Sequence, residues 1–135
     1  MKKVTAMSID QIEKKIFYHD TDAGGVVYYA NYLKFFEEGR CEYLFRRGID
    51  LVERGNQGFF FVVRRTEVDY RAPARYADKL VIKSQLTRIK NASLEFVQSV
   101  GRDDMVLVEA KTTLVFVDKT FRPAAMGEDI IAALQ

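Results

Sequence analysis

The chain has 135 residues, of which 48% are hydrophobic and 30% charged, and its formal net charge at pH 7 is +2. This length suffices for one compact domain but not for two of ordinary size, and the composition is globular rather than disordered. A net charge this small gives no support for a nucleic-acid-binding protein. We therefore predict a single domain over residues 1–135 and no nucleic-acid partner.

The cysteine content and the hydropathy of the chain indicate the compartment in which the protein is expected. Cys41 is the only cysteine, which excludes an internal disulfide and a zinc site built from several cysteines. No apolar stretch approaches the ~20 residues needed to cross a bilayer, and the N-terminus lacks the apolar run of a secretion signal. We expect a soluble, cytoplasmic protein that does not insert into membranes.

The first predicted elements are a strand over residues 9–18 and a helix over residues 30–47. In the strand, Ile12, Ile16 and Tyr18 are expected to share the buried face. In the helix, apolar or small residues recur at spacings of four, three and four, which predicts one broad buried stripe. This stripe consists of Tyr32, Phe36, Gly39 and Tyr43.

The rest of the chain is predicted to be antiparallel strands followed by a short helix. Alternating patterns predict strands over residues 59–71, 80–90, 93–100 and 105–118, and the helix covers residues 128–134. Strands joined by short turns cannot form a parallel sheet, which needs long crossovers. The order of elements predicts an α+β fold in which the helix covers one face of the sheet. A second copy of the chain would cover the rest of the sheet. One face of the last strand is expected to hold Val106, Val108, Ala110, Thr112, Leu114 and Phe116.

The segment over residues 20–32 carries the most chemical information. It reads Asp-Thr-Asp-Ala-Gly-Gly-Val-Val-Tyr-Tyr-Ala-Asn-Tyr and places two carboxylates before a Gly-Gly pair and the predicted helix. Glycine allows a sharp turn and close approach of a ligand, and a helix start presents unpaired N–H groups. A carboxylate and N–H donors that face one space are what attack on a carbonyl requires.

Other interpretations of the same residues stay open at this point. Asp20 and Asp22 could bind a metal, but the calcium-loop pattern fails because Asn31 stands where the bidentate Glu belongs. A phosphatase-like Asp-x-Asp would need a parallel α/β scaffold, and Asx side chains before glycines often only stabilise a turn. His19, the only histidine, has no Ser or Cys partner nearby for a triad. We predict no metal site.

The segment from His19 to Tyr32 resembles the signature of hotdog-fold acyl-CoA thioesterases of the 4-hydroxybenzoyl-CoA thioesterase type. Within them it most resembles the branch that includes the bacterial Tol–Pal-associated thioesterase, although that branch commonly has His where this chain has Tyr29. Further matches downstream extend the resemblance over most of the chain. The resemblance implies a hotdog fold, with a long central helix wrapped by a curved antiparallel sheet of about five strands. The downstream matches that extend the resemblance cover residues 61–65, 68–74 and 93–94.

The resemblance also implies a reaction and the main catalytic groups. Asp22 corresponds to the catalytic carboxylate, and the backbone N–H near Tyr29 corresponds to the donor that polarises the thioester carbonyl. The implied reaction converts an acyl-CoA to a free acid and CoA, without a metal or other cofactor. Sites of this family lie at a dimer interface, so we expect a homodimer or homotetramer.

Candidate substrate-binding residues complete the predicted site. Asp20, Thr21 and Asn31 are expected to fix the loop geometry. The predicted acyl-binding residues are Val27, Tyr28, Phe59, Phe60 and Phe61, and charge alone suggests Arg88 and Lys90 for the nucleotide phosphates.

Two questions of function stay open from the sequence. Asp22 could attack the carbonyl directly or act as general base toward a water. The same fold could also serve as a non-catalytic acyl-CoA or protein-partner module, or as a dehydratase. A dehydratase would need a His at the helix, whereas His19 precedes the glycine turn.

Overall fold

The computed structural model describes residues 2–3 and 8–135. In chain order, its strands and helices, together with one turn of 3-10 helix over Tyr18–Asp20, are β1 (Lys2–Lys3), β2 (Asp10–Lys15), α1 (Asn31–Arg46), α2 (Leu51–Asn56), β3 (Phe59–Tyr70), β4 (Lys79–Ile89), β5 (Ser93–Arg102), β6 (Met105–Asp118) and α3 (Glu128–Leu134).

The strands form one antiparallel sheet that carries α1 on its inner face. The strand order is β1-β4-β5-β6-β3, and β2 pairs with the first half of β4 while β1 pairs with its end. Thus β3 forms one edge of the sheet, and β1 and β2 together form the other. The helix and five longer antiparallel strands confirm the predicted α+β hotdog fold.

The predicted stripe of α1 is the face that packs on the sheet. Tyr32, Phe36 and Tyr43 are buried, together with other side chains that lie beside them. Gly39 allows the closest approach, because a Cβ built there would lie 2.6 Å from Ser84 Oγ. The remaining buried side chains of α1 are Phe35, Arg40 and Leu44.

Bulges keep the inner face apolar on two strands. In β3, Val63 pairs with Leu114 and Arg65 with Thr113, so Arg64 is an extra residue. Leu107 is the extra residue in β6, since Val100 pairs with Val108 but Gly101 pairs with Val106. The prediction that Val106 shares the inner face is therefore wrong, because the bulge shifts its phase and leaves it exposed.

The other differences concern short elements. The first strand ends at Lys15 rather than at residue 18, and Tyr18 is 74% exposed instead of buried. The structure also adds α2, whose first turn is capped by the Asp50 carboxylate accepting from Val52 N and Glu53 N. This helix has only six residues and no buried one, so no apolar stripe signalled it. No helix within the described ranges is long and apolar enough to span a membrane.

Gly39→Ala is expected to destabilise the protein. The new methyl group would lie 2.6 Å from Ser84 Oγ and 3.0 Å from Ile82 Cγ2, and overpacking of this kind costs about 1–3 kcal/mol. The higher helix propensity of Ala offsets up to about 1 kcal/mol of this cost. The free energy of unfolding from urea denaturation measures the net effect.

The matched control is Gly55→Ala in α2. There the Cβ meets only the ring of Phe60, at 3.4 Å from Cε1 and 3.9 Å from Cδ1, so helix propensity should dominate and the change should be neutral or stabilising. Equal effects of the two substitutions would contradict the proposed tight contact of α1 with the sheet.

Candidate active site

The loop between β2 and α1 is held by hydrogen bonds of Asp20, Thr21 and Asn31, as the sequence predicts. Asp20 is 6% exposed, and its carboxylate accepts from Phe17 N at 2.9 Å. The Asp20 carbonyl accepts from Tyr28 N at 3.0 Å and from Asn31 Nδ2 at 2.9 Å. The Thr21 hydroxyl donates to a backbone carbonyl three residues earlier. Both ends of the loop are therefore joined at Asp20.

Asp22 lies at the exposed tip of this loop. Its Oδ1 accepts from Gly24 N at 2.8 Å, and its backbone N–H donates to Val26 O at 2.9 Å. Gly25 completes the turn with φ +80°, a value that favours glycine. Over the described ranges, no other hydrogen bond reaches the Asp22 carboxylate, so one oxygen is oriented by the turn while Oδ2 is available to a substrate.

The start of α1 supplies unpaired N–H donors next to this loop. The helix begins after Ala30 without a side-chain cap and without an acidic residue in its first turn. Within the described part of the chain, neither Tyr29 N–H nor Ala30 N–H meets an acceptor. Unpaired donors at a helix start attract negative charge, so this end of α1 can stabilise an oxyanion.

A cavity of about 280 Å³ opens beside these donors. Tyr28 is exposed at its approach, and its ring centroid lies 4.9 Å from that of Tyr29. The Tyr29 hydroxyl raises the pKa of Tyr28, and burial and the charge of Asp22 add smaller contributions in the same direction. The cavity is lined by Val27, Tyr29, Tyr32, Tyr70, Arg71, Ala72 and Pro73.

Tyr70 is a site residue that sequence reasoning did not identify. Its Oη donates to Tyr29 O at 3.1 Å, and its ring meets the ring of Tyr29 edge-on. The carbonyl that accepts this bond belongs to the same peptide unit as the free Ala30 N–H, so the bond orients that donor. Tyr70 lies at the end of β3 opposite the buried Val108, and nothing in the sequence paired it with the loop.

The predicted phosphate-binding residues lie in a separate basic cavity. Arg88 and Lys90 stand at the hairpin between β4 and β5, in a cavity of about 210 Å³ on the outer face of the sheet. Arg65 and Lys111 of this cavity pair with glutamates, whereas Arg64, Arg88 and Lys90 have no ion pair with described residues. Arg64 was missed because its contribution depends on the β3 bulge.

The three phenylalanines from Phe59 to Phe61 do not reach the Asp22 loop of the same chain. They begin β3, whereas the loop lies at its other end, about 30 Å away at 3.3 Å per residue. The rings of Phe59 and Phe61 pack against Phe116, within 5.3 Å between centroids. Only Phe60, which is 44% exposed, could meet a ligand.

A candidate metal site, His19 and Cys41 are the other features of chemical interest in the sequence. Over the described residues, no cluster of three or more His, Cys, Asp and Glu side chains could hold a metal ion. His19 is exposed, and its Nε2 lies 3.6 Å from Asp20 Oδ1. Cys41 is half-buried on α1, and burial raises the pKa of its thiol.

The chain is similar to several known proteins. Residues 18–134 match the model of the thioesterase-like superfamily. The chain is 38% identical over 120 residues to the acyl-CoA thioester hydrolase YbgC of Escherichia coli O6:H1, covering 87% of this chain and 90% of that protein. It is 35% identical over 123 residues to the acyl-CoA thioesterase YbgC of Haemophilus influenzae, covering 88% and 89%.

A solved structure with a related sequence has the same architecture. The crystal structure of a probable thioesterase from Bartonella henselae superposes with a TM-score of 0.84 at 31% identity. The superposition covers 89% of this chain and all of that one.

Tyr70→Phe is expected to lower the turnover number for an acyl-CoA thioester by about tenfold while KM changes less than twofold. The substitution removes only the hydroxyl that orients the Tyr29–Ala30 peptide, and a lost hydrogen bond of this kind typically costs about 1 kcal/mol or more. Steady-state kinetics separate the two constants. Tyr76→Phe, at an exposed tyrosine that stacks on Tyr18, is the control; equal kinetics for Tyr70→Phe and the unsubstituted protein would contradict the orienting role.

Proposed function

The chain belongs to the thioesterase-like superfamily, and on this premise we propose that it hydrolyses acyl-CoA thioesters with Asp22 as the catalytic carboxylate. Residues 1–135 would act as one hotdog thioesterase domain. Within the superfamily we propose the 4-hydroxybenzoyl-CoA thioesterase type and, in it, the branch of the Tol–Pal-associated thioesterase, with Tyr29 as a departure from that branch. The acyl-CoA substrate follows from the relatives, and the residue roles rest on the geometry.

The observation that carries the residue roles is the proximity of a carboxylate to free N–H donors. Thr21 and Val27 form an antiparallel bridge, and Asp22 N donates to Val26 O, so the two arms of the loop run side by side. Asp22 therefore lies beside residues that directly precede Tyr29 and its unpaired N–H. The Gly-Gly turn leaves room for a substrate between them.

This arrangement supports the following chemistry. The thioester carbonyl oxygen accepts from the N–H groups of Tyr29 and Ala30, which stabilise the oxyanion as it forms; loss of such a donor costs about 3 kcal/mol. In one route Asp22 attacks the carbonyl carbon, CoA leaves as a thiolate, and water hydrolyses the mixed anhydride. In the other route Asp22 takes a proton from the water that attacks. Both routes give a free acid and CoA and restore the carboxylate.

The basic cavity suits the phosphates of the CoA nucleotide. Arg64, Arg88 and Lys90 converge there without an ion pair in the described part of the chain, and Arg88 lies across the strands from Arg65, through Glu95 and Thr113. Guanidinium and ammonium groups form strong charge-assisted bonds with phosphate oxygens. We assign the nucleotide phosphates to this cavity.

The separation of the two sites supports a homodimer. The cavity lies on the outer face, and Arg64 is about 20 Å along β3 from Tyr70 at 3.3 Å per residue. Since β3 is an edge strand with exposed Phe60 and Val63, a second copy paired along it would bring the basic cavity of one chain toward the Asp22 loop of the other. Phe60, which lies on the outer face of β3, would then lie at the interface of the two copies.

We also propose that dimers assemble to a homotetramer. A cytoplasmic location is proposed as well, and the single cysteine is consistent with that reducing compartment. No metal or other cofactor is required by the proposed chemistry, because the carboxylate and the N–H donors supply both functions.

Asp22→Asn is expected to lower kcat/KM for acyl-CoA hydrolysis at least about 100-fold, because the amide neither attacks nor accepts a proton. Assays with short aliphatic, aromatic and long-chain acyl-CoAs, with far-UV circular dichroism to check folding, measure the effect. Asp104→Asn, at an exposed carboxylate in the turn before β6, is the control. Full activity of the Asp22 variant would overturn its assignment, and inertness of the unsubstituted protein toward all acyl-CoA and acyl carrier protein thioesters would favour a binding module.

Arg88→Gln is expected to raise KM for an acyl-CoA about tenfold with little change in kcat, because a charge-assisted bond to phosphate contributes about 1.5–3 kcal/mol. The same variant should hydrolyse an acyl-pantetheine thioester, which lacks the nucleotide, as well as the unsubstituted protein does. Lys83→Gln, an exposed position on the same strand, is the control. Equal increases of KM for both substrates would remove Arg88 from the nucleotide site.

A further inference from the structure

Arg40 is a buried cation that the proposed reaction does not use. Its side chain extends from α1 toward the sheet, the residue is 7% exposed, and Nη1 donates to Gln98 Oε1 at 3.1 Å. Gln98 is itself fixed, because its Nε2 donates to Phe36 O and Ser84 Oγ, both at 2.8 Å. Over the described ranges Arg40 forms no ion pair with a carboxylate, and burial lowers the pKa of its guanidinium. A buried charge without a counter-ion is costly, so this position favours an anion.

The guanidinium lines a second cavity, of about 280 Å³, between α1 and β3. We call the space between these two elements the α1–β3 groove. Its floor includes Thr66 and Thr112, whose hydroxyls lie 2.7 Å apart and bond to each other. The largely apolar walls suit a carbon chain, and the other lining residues are Leu33, Lys34, Phe36, Glu37 and Val63.

Two cavities lie along the α1–β3 groove and share no lining residue. Tyr29 and Tyr70 line the cavity at the start of α1, and Arg40 and Val63 line the one farther along the helix. Gln98 contacts both Arg40 and Phe36 O, so the guanidinium lies near the level of Phe36. Seven residue steps separate Tyr29 from Phe36, two in the turn before α1 and five within α1 at 1.5 Å each, which gives about 10 Å from Tyr29 to the guanidinium. Hydrogen bonds of about 3 Å at each end leave about 4–5 Å for the carbon chain.

We propose that the α1–β3 groove receives the acyl chain and that Arg40 binds a carboxylate at its distal end. The preferred substrates are then short dicarboxylic acyl-CoAs, of about the length of a glutaryl group. This inference rests on the proposed function, because the thioester oxygen at Tyr29 fixes the other end of the chain. Lys34 at the rim adds a second positive charge, and the exposed Glu37 is the one carboxylate that lines the cavity.

The test compares glutaryl-CoA with pentanoyl-CoA, which have the same number of carbons and differ in the terminal carboxylate. We expect the unsubstituted protein to hydrolyse glutaryl-CoA with at least tenfold higher kcat/KM. Arg40→Gln should lower this ratio to one or below, and Arg40→Lys should keep a preference for glutaryl-CoA. Lys119→Gln, at an exposed cation outside the groove, should keep the ratio.

Several outcomes would overturn the inference. Equal or faster hydrolysis of pentanoyl-CoA by the unsubstituted protein does so without any variant, and retention of the glutaryl preference by a folded Arg40→Gln does so as well. If Arg40→Gln does not fold, the unsubstituted ratio and the Arg40→Lys ratio decide. Dissociation of a dimer by both Arg40→Gln and Glu37→Gln, with no glutaryl preference in the unsubstituted protein, would show instead that Glu37 of a second copy neutralises Arg40.

The failure of the proposed function looks different. In that case neither thioester is hydrolysed, or Asp22→Asn hydrolyses both as fast as the unsubstituted protein. Hydrolysis that depends on Asp22 but ignores the terminal carboxylate overturns only the role of Arg40.

Discussion

The backbone carbonyl of Asp20 joins both ends of the loop that carries the proposed chemistry. It accepts from Tyr28 N and from Asn31 Nδ2, and the buried carboxylate of the same residue accepts from Phe17 N. These bonds fix where the loop leaves the sheet and where α1 begins. The positions of Asp22 and of the free N–H groups follow from them, because only the exposed turn lies between. A polar group that is buried with all these bonds satisfied makes the loop stiff without a metal or a disulfide.

The site is built from groups that do not contribute to the stability of the fold. A side-chain cap at the start of α1 would typically stabilise the helix by about 1 kcal/mol, but it would also occupy the donors that an oxyanion needs. Among the residues that the structure describes, the exposed Asp22 has only one carboxylate oxygen in a hydrogen bond, and the buried Arg40 has no carboxylate partner. Such unsatisfied groups are commonly found where a ligand completes the bonding. The packing of α1 on the sheet, with Gly39 at its closest point, offsets their cost.

Much of this architecture could be predicted from the sequence, because it depends on periodicity and on turn residues. The stripe of α1, the antiparallel strands and the loop roles of Asp20 and Asn31 all follow from local patterns. Bulges do not follow from them, since an extra residue such as Leu107 shifts the phase without changing the composition, and Val106 was misplaced for that reason. The contact of Tyr70 with Tyr29 joins residues that are far apart in sequence and has no local signal.

The placement of the phenylalanines shows a related limit of sequence reasoning. Three consecutive Phe residues indicate a large apolar surface, but the alternation of β3 directs Phe59 and Phe61 into the core and leaves Phe60 outside. From the sequence, only their positive charge suggested Arg88 and Lys90 as phosphate-binding residues. In the structure both residues line one cavity together with Arg64. Residue type and spacing therefore predict where a site lies more reliably than they predict the role of each residue in it.

The extra residue at Arg64 has a consequence for how the protein can diversify. Without the bulge, if Arg64 instead paired regularly in the ladder, the alternation of β3 would invert midway, and apolar and basic side chains would mix on both surfaces. With the bulge, one strand presents the lining of the proposed acyl groove on one surface and the cations of the proposed nucleotide site on the other. Selection on one kind of recognition can therefore proceed while the other is left intact, so new acyl preferences can arise in this scaffold without renewed adaptation to coenzyme A.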